Sequence, residues 1–479
     1  MARVADALHS TTREEVIRRE LLFSEGESLD SARLAETERN LRALGLFRSV
    51  EIRTEPVGDE EVDVVVRARD AWTTEVSGSL GRVGGRSKFG VGLEEANFLG
   101  FGKRLSLDFA SNPDRTTRQV VYSDPQFLGR RLLLDLVYAS SSDGERRHFE
   151  LARPFRSLDW GSAALLEYED GTRETRVYDR GSELARFGME TRSFEISAGH
   201  RLTVDSRRPV ARLSAGYRRE EATFTLERGA SDTVPDDRKF GFFFARLDLI
   251  KPDFLVKQDI ANLSRDEDFD VGGSLSLELA YSAPLFGARK RVAAVLRLAR
   301  GARLPNGLLI GSLSAKTREH DGSLEHSLAE AELEAYWKPP RLPDQTFAGR
   351  LLFSWGRRLD REVQLAADGA SGLRGYRLHA FTGDRRLIAN LEDRIRLTPE
   401  LLHLFQLGAA VFVDAGYAWP AGSPIRLSDL RLDAGVGLRI ALPRAAKHSL
   451  LRFDLAYALR PDLLGRRGWL VSFSSSQAF

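Results

Sequence analysis

The sequence predicts a mainly β protein: a single-chain antiparallel transmembrane β-barrel preceded by one small α+β domain. Three observations support this fold class. Apolar and polar residues alternate along many segments, helical periodicity nearly vanishes after Trp72, and turn-forming residues separate segments of about ten residues. Because successive side chains on a strand point to opposite faces, such segments present one face to lipid and the other to a polar lumen.

Composition excludes several classes of protein. Lys and Arg nearly balance Asp and Glu in the 479 residues, giving a net charge of +2 and no long basic stripe for nucleic acid. The absence of Cys excludes disulfides and thiolate metal sites. The eight His do not cluster as metal ligands, and no G-x-S-x-G or Walker pattern occurs. We therefore expect no enzyme activity, no metal and no cofactor. An outer-membrane lipase or protease would need a Ser/His or acid pair that these motifs do not reveal.

Residues 1–70 predict the small α+β domain. A threonine at position 11 or 12 can cap a first helix through about Leu22, and Asp30 can cap a second helix that ends before Gly45. Strand-like runs follow at residues 47–54 and 61–67. The first 25 residues lack the basic and apolar regions of a signal peptide, so we expect that an exported protein was trimmed or that this chain begins downstream of its signal.

Residues 71–479 predict the barrel. The last strands show the alternation most clearly, with Leu451, Phe453 and Leu455 on one face and Arg452 and Asp454 on the other. We count roughly 16 to 20 strand-like segments. Longer polar links are expected as loops at residues 173–188, 221–236, 251–268 and 358–385. The alternative is a large soluble β protein such as a propeller, but no repeat of about 40–50 residues is present.

Several motifs occur in a fixed order along the chain. They are Gly45-Leu46-Phe47, Asn97-Phe98-Leu99-Gly100-Phe101-Gly102, Tyr122-Ser123-Asp124-Pro125, Leu373-Arg374-Gly375-Tyr376, Asn390-Leu391-Glu392, Phe412-Val413-Asp414-Ala415-Gly416 and the spacing from Phe473 to Phe479. Together they resemble the BamA/TamA-type outer-membrane barrel-assembly superfamily, which combines POTRA domains with a bacterial surface antigen β-barrel. Leu373 and Tyr376 depart from the VRGF signature of that superfamily, and only one POTRA-like unit is present.

The resemblance implies a barrel of about 16 strands in the bacterial outer membrane, with the N-terminal domain in the periplasm. It implies a protein that inserts other outer-membrane β-barrels, using the POTRA as a docking domain and a lateral seam between the first and last strands. The alternative is a two-partner polypeptide-secretion pore or a barrel that translocates lipid or protein. Expected partners are outer-membrane lipid, unfolded outer-membrane or secreted polypeptide clients and accessory assembly subunits.

Three groups of candidate residues follow. The predicted luminal-loop lock comprises Arg374, Gly375, Tyr376, Glu392, Asp414 and Gly416. The predicted C-terminal assembly signal comprises Phe473, Gln477 and Phe479. The predicted lateral seam comprises Val76, Gly78, Leu80, Ser474, Ser475 and Ser476, where small residues pack poorly across strands.

The luminal-loop lock carries the most specific expectation. Val411 and Val413 share the lipid face of one strand, so Asp414 points inward, and Leu391 places Glu392 inward in the same way. Two luminal carboxylates on neighbouring strands favour a cation, and the planar guanidinium of Arg374 can bridge them. Taken singly, Arg374 could be a solvated loop charge and Glu392 one of many lumen carboxylates.

Overall fold

The computed structural model describes residues 11–58, 61–155, 160–203, 209–230, 233–260, 266–285, 288–398, 401, 405–441 and 450–474. Within these ranges, two helices and a two-stranded sheet precede a closed β-barrel. No helix in the described part of the chain is long and apolar enough to cross a membrane.

The N-terminal unit has the predicted element order. It consists of α1 (Glu14–Arg18), α2 (Ser31–Ala43), β1 (Phe47–Pro56) and β2 (Val62–Asp70). Leu41, Leu46 and Val50 form its buried apolar side. The first helix is shorter than predicted and has no side-chain cap, because Arg13 occupies the N-cap position. The Thr12 hydroxyl donates instead to Asp70 Oδ1 at 2.5 Å. This bond joins the start of α1 to the end of β2.

The barrel is closed by twenty antiparallel strands in chain order. They are β3 (Thr74–Val83), β4 (Arg86–Glu95), β5 (Arg104–Ser111), β6 (Thr116–Asp124), β7 (Leu133–Ser141), β8 (Gly144–Arg153), β9 (Ser162–Asp179), β10 (Ser182–Arg201), β11 (Val210–Arg228), β12 (Arg238–Lys251), β15 (Gly273–Ser282), β16 (Arg291–Leu304), β17 (Gly307–His320), β18 (Ser323–Trp337), β19 (Gln345–Arg357), β22 (Arg385–Arg396), β23 (Gln406–Trp419), β24 (Arg431–Ala441), β25 (Leu450–Ala458) and β26 (Trp469–Ser474). Two short hairpins outside the barrel sheet are β13 (Phe254–Gln258) with β14 (Asp266–Asp270), and β20 (Leu365–Ala367) with β21 (Phe381–Gly383).

The expected strand number of about 16 was therefore wrong. One strand that the sequence reading missed is β17, whose outer half runs Ala-Lys-Thr-Arg-Glu-His without alternation. Because strand number sets barrel width, twenty strands enclose a wider lumen than sixteen. A lumen of this width has room for internal segments, and the β13–β14 and β20–β21 hairpin regions both pack against the inner wall.

Two of the expected loops are also largely strand. Residues 173–188 belong mostly to the β9–β10 hairpin, whose turn is Arg180-Gly181, and residues 221–228 continue β11. At 18 and 20 residues, β9 and β10 are about twice as long as a strand that spans a bilayer. Beyond the lipid zone no strand face needs apolar side chains toward lipid, so the apolar alternation toward lipid disappears and the sequence resembles a loop. In this part of β10 the buried side chains are instead Ala185, Phe187 and Met189.

The wall of the barrel has the predicted two faces. Along β25, buried and exposed side chains alternate, with Leu451, Phe453 and Leu455 outside and Arg452 and Asp454 inside. The inner face thus carries charges that must find partners within the lumen.

Candidate functional site

The link between β19 and β22 folds back into the barrel. Its short β20–β21 hairpin and the residues between them pack against the inner wall. The apolar cluster formed in this way contains Ala367, Leu373, Tyr376, Ala380 and Phe381 from the loop and Leu352, Ile388, Ala418 and Ala458 from the wall. Burial of these apolar side chains favours a loop held inside the barrel. We call residues 358–384 the luminal loop.

Arg374 lies at the centre of this site and is only 3% exposed. Its Nε and Nη2 atoms donate to the two carboxylate oxygens of Asp414, each at 2.8 Å. Its Nη1 donates to Glu392 Oε2 at 2.7 Å, and its guanidinium carbon lies 3.3 Å from the centroid of the Phe412 ring. The arginine is thus held by a bidentate pair, a second carboxylate and an aromatic face, the geometry in which Arg cannot be replaced by Lys.

The Arg374 contacts belong to a larger network of buried charges. Glu392 Oε1 accepts from Arg439 Nη2 at 3.0 Å and from Arg394 Nε at 3.3 Å, and Arg439 Nη1 donates to Asp454 at 2.6 Å. The described charges of this network, each less than a tenth exposed, are Arg374, Arg394, Arg439, Arg452, Glu392, Asp414, Asp433 and Asp454. Ion pairs join the four arginines to Glu392, Asp414 and Asp454, which offsets the desolvation of these charges, and Asp433 lies directly opposite Asp414 on the neighbouring strand.

Sequence reasoning missed Arg394, Arg439, Arg452, Asp433 and Asp454. The alternation along β25 already placed Arg452 and Asp454 inside, so their position was predictable while their partners were not. Their partners depend on the register between β22, β23, β24 and β25, which is seen only in the folded barrel.

The remaining residues of the predicted lock allow the luminal loop to lie close to the barrel wall. The Tyr376 hydroxyl lies 3.0 Å from the carbonyl oxygen of Leu432 and 2.9 Å from that of Arg460. A Cβ at Gly375 would lie 2.5 Å from Asp433 Cβ, so only glycine allows the loop to approach β24 this closely. A Cβ at Gly416 would lie 2.7 Å from the carbonyl oxygen of Leu387. The structure thus brings all six residues of the predicted lock to one region of the lumen.

A second segment reaches the same network from the other end of the barrel. The β13–β14 hairpin leads into Asp259 and Ile260, and Ile260 packs with Leu308, Tyr336 and Ala348 on the inner wall. Arg394 Nη1 donates to the Ile260 carbonyl oxygen at 2.6 Å, while Arg394 Nε contacts Glu392. One carboxylate oxygen of Glu392 accepts a hydrogen bond from Arg374 of the luminal loop. The other accepts from Arg394, which also bonds the hairpin segment, so Glu392 connects the two internal segments. The sequence reading treated residues 251–268 as a polar link only.

The luminal loop also contacts the first hairpin of the barrel. The Leu378 backbone N–H points to the Gly84 carbonyl oxygen at 3.4 Å, in the turn between β3 and β4. A Cβ at Gly84 would lie 2.6 Å from Leu378 N, and a Cβ at Gly369 would lie 2.8 Å from Gly84 Cα. The loop thus lies against the strand pair that begins at the seam.

This contact gives a testable prediction with a matched control. Gly84→Ala should lower the temperature at which the barrel loses its compact form on a gel more than Gly85→Ala does. Both glycines have positive φ, +55° and +83°, so both substitutions carry similar backbone strain. Only the Cβ at position 84 meets the loop backbone, and such overpacking costs about 1–3 kcal/mol. Equal melting of the two variants would contradict the proposed contact between loop and hairpin.

The seam itself lies between β26 and β3. Within the described residues these strands share the antiparallel pair Phe473 with Arg82. In this register Trp469, Leu470 and Val471 lie beyond Val83, the last residue of β3. The outer part of β26 is therefore paired with β25 on one side and extends past β3 on the other.

The predicted residues of the seam and of the C-terminal assembly signal lie on β3 and at the end of the chain. Val76 and Leu80 are 76% and 71% exposed on β3, and a Cβ at Gly78 between them would meet no atom within 4 Å. Ser474 is buried at the end of the described part of β26, and Phe473 stacks near Phe453 with ring centroids 6.0 Å apart. Ser475, Ser476, Gln477 and Phe479 lie outside the described residues.

The N-terminal unit contacts two barrel turns of similar sequence. Both turns contain Phe-Leu-Gly, preceded by Asn97 in one and Gln126 in the other. Asn97 Nδ2 donates to Thr12 Oγ1 at 2.9 Å, and Gln126 Nε2 donates to the Val16 carbonyl oxygen at 2.9 Å. These turns join β4 to β5 and β6 to β7, and they therefore place α1 beside this rim of the barrel.

The N-terminal part of the chain matches a known protein family. Residues 9–69 match the POTRA family, described as a surface antigen variable number repeat. Over 173 residues, the chain is 28% identical to a "Putative outer membrane protein assembly factor" of Treponema pallidum (strain Nichols). This match covers 32% of the chain and 20% of that relative, so the chain spans a fifth of its length.

The barrel is similar to two solved structures. BamA from Haemophilus ducreyi lacking POTRA domains 1–3 has a TM-score of 0.52 at 15% identity, over 98% of this chain and 82% of that one. CdiB from Acinetobacter baumannii has a TM-score of 0.52 at 12% identity, over 97% of this chain and 72% of that one. At these identities the likeness concerns the fold. The chain joins a POTRA segment to a barrel of the fold seen in BamA and CdiB, which confirms the resemblance to the BamA/TamA-type superfamily in domain content and architecture.

Proposed function

We propose that this protein is an integral outer-membrane protein that inserts other outer-membrane β-barrel proteins, with residues 1–70 acting as a periplasmic docking domain. The POTRA match, the name of the Treponema relative and the barrel fold support this proposal. The observation that carries it is the seam, where the outer part of β26 extends past the end of β3. Unpaired backbone groups on such an edge can accept a strand of another chain.

The docking domain offers a second strand edge. Its sheet has only the strands β1 and β2 in the described residues, so each has one side without a strand neighbour. An extended client segment can add to such an edge by β-augmentation, in which main-chain hydrogen bonds supply affinity with little sequence preference. This suits a protein whose clients are unfolded outer-membrane barrels of differing sequence. Covalent catalysis has no place in this mechanism, and accessory subunits would assist client delivery.

In this mechanism the luminal loop connects the lock to the seam. Arg374 holds the luminal loop against the inner wall, and the same loop lies against Gly84 in the first hairpin. A loop held by the lock keeps the first hairpin in place while the seam opens toward lipid beside it. The client strand then pairs with the exposed edge and is released into the membrane when its own barrel closes.

An insertion assay with a stapled seam tests this function. The protein reconstituted in phospholipid vesicles should raise the rate at which a urea-unfolded, eight-stranded barrel becomes heat-modifiable. The chain has no Cys, so Arg82→Cys with Phe473→Cys introduces a single disulfide across the seam pair. Oxidation of this variant should abolish the gain in rate, and reduction should restore it.

The matched control places a staple beside the seam. Leu455→Cys with Val471→Cys links an opposed pair of β25 and β26, away from the β26–β3 junction. This variant should insert the client equally well when oxidised and when reduced. Unimpeded insertion through the oxidised seam would refute the proposal, and ion conductance without client insertion would favour the secretion pore instead.

A further inference from the structure

A polar cavity of about 610 Å³ lies on the barrel rim beside the N-terminal unit. It is formed by the turn after β6, the end of β8, and Trp160 and Gly161 before β9. Its described lining residues are Arg130, Arg131, Leu132, Arg153, Trp160 and Gly161. No carboxylate is among these lining residues, which distinguishes the cavity from the balanced charges of the lumen.

The cavity concentrates positive charge around an aromatic ring. The guanidinium carbons of Arg131 and Arg153 lie 5.8 Å and 5.6 Å from the centroid of the Trp160 ring. Arg131 also donates to the carbonyl oxygens of Arg19 and Leu21, at 2.8 Å and 2.6 Å, which orients it from the N-terminal side. Arginine guanidinium groups converging on one space fit the oxygens of a phosphate group.

An apolar groove of about 630 Å³ adjoins this cavity on the outer wall of the barrel. Leu132 and Arg153 line both spaces, so the groove continues directly from the cavity. Ile196 and Phe243 border the groove and are each 51% exposed, as expected for residues that face lipid. One continuous site therefore offers cations and a tryptophan at one end and apolar wall at the other.

We propose that this composite site binds a glycerophospholipid, with its phosphate among Arg130, Arg153 and Trp160 and an acyl chain along the apolar groove. Charge complementarity selects a phosphate headgroup, and the groove selects a lipid over a free anion. Tryptophan is enriched at the level of lipid headgroups, and arginine is among the residues that anchor proteins at this interface. The cavity lies on the side of α1, so the lipid belongs to the leaflet that faces the N-terminal domain. The assignment of that side to the periplasm rests on the proposed function.

Bound lipid would also contact the joint between the two domains. Arg131 lines the cavity while holding the carbonyl oxygens of Arg19 and Leu21, at the end of α1 and just beyond it. A phosphate among Arg130, Arg153 and Trp160 would lie beside Arg131, whose bonds hold the N-terminal unit against the rim. The lipid is thus a positioning ligand for the docking domain.

Native mass spectrometry of the full chain in detergent tests the proposal. After delipidation, the protein is titrated with dioleoylphosphatidylglycerol, with dioleoylglycerol, which lacks phosphate, and with inorganic phosphate as competitor. We expect one saturable phosphatidylglycerol site that dioleoylglycerol does not occupy. Arg130→Ala with Arg153→Ala removes two charge-assisted contacts and should weaken this affinity by about tenfold or more.

The controls separate this site from general membrane contact. Arg341→Ala removes an exposed arginine from the turn between β18 and β19, at the same rim, and should leave the affinity unchanged. Each variant is first shown to be folded by its heat-modifiable migration. Equal phosphatidylglycerol affinity in the double variant, equal binding of dioleoylglycerol, or displacement of the lipid by inorganic phosphate at similar concentration would overturn the proposal. Because the assay measures lipid alone, its outcome is independent of client insertion.

Discussion

Arg374→Ala should be the most damaging single substitution in the lumen. Removing the guanidinium leaves Asp414 and Glu392 without their shared cation in a site where both are almost fully buried. Stranding the partner of a buried ion pair costs roughly 3–5 kcal/mol, and water in the lumen would reduce this figure. We expect a lower temperature for the heat-induced gel shift and slower client insertion.

Two further variants test whether the stranded carboxylates cause the loss of stability and insertion. Arg377→Ala removes an exposed arginine three residues along the same loop and should leave both measurements close to those of the unmodified protein. Arg374→Met with Asp414→Asn removes the cation and one anion together, so it should recover part of the lost stability if stranded charge is the cause. The lock proposal fails if Arg374→Ala and Arg377→Ala behave alike.

Deletion of residues 1–70 should abolish client delivery while leaving a closed barrel. The contacts between this segment and the barrel lie on the turns at Asn97 and Gln126 and at Arg131, whereas the barrel is closed by hydrogen bonds between its own strands. After deletion, these polar side chains are exposed to water and keep hydrogen-bond partners there. The vesicle assay should therefore show client insertion at the protein-free rate, with heat-modifiable migration retained.

Thr12→Ala serves as the control for the deletion. It removes the hydroxyl that bonds Asp70 and accepts from Asn97, so it loosens the joint while keeping the docking domain. We expect partial rather than complete loss of insertion. Collapse of the truncated barrel in a thermal melt would contradict a docking role and would show that residues 1–70 brace the barrel.

Most of the structure that could be predicted from the sequence follows from the alternation of apolar and polar residues along the strands. It placed Arg452 and Asp454 inside β25 and the intervening leucine and phenylalanine side chains outside, as the barrel shows. It failed where its physical cause is absent. The outer halves of β9 and β10 extend beyond the lipid zone, where no lipid face demands apolar residues, so residues 173–188 were expected as a loop. For the same reason β17 was not assigned as a strand.

The luminal site was predictable only in part. That Asp414 and Glu392 point inward follows from strand periodicity, and both carboxylates meet Arg374 in the structure. The contribution of Arg439 and Asp454 depends on the register of β22 to β25, which local sequence does not encode. The contact of Gly84 with Leu378 joins residues almost 300 positions apart, a separation at which no local pattern operates.

The amino-acid sequence by itself determined the fold class, the order of its two parts and the inward direction of the central carboxylates, because periodicity and turn chemistry act over a few residues. The tertiary structure alone decided the number of strands, the partners of each buried charge, the approach of the luminal loop to the first hairpin and the cavity shared by Arg130, Arg153 and Trp160. These features arise from closure of the barrel, which sets strands distant in sequence side by side and leaves each inner charge to pair with whichever side chain the register places opposite.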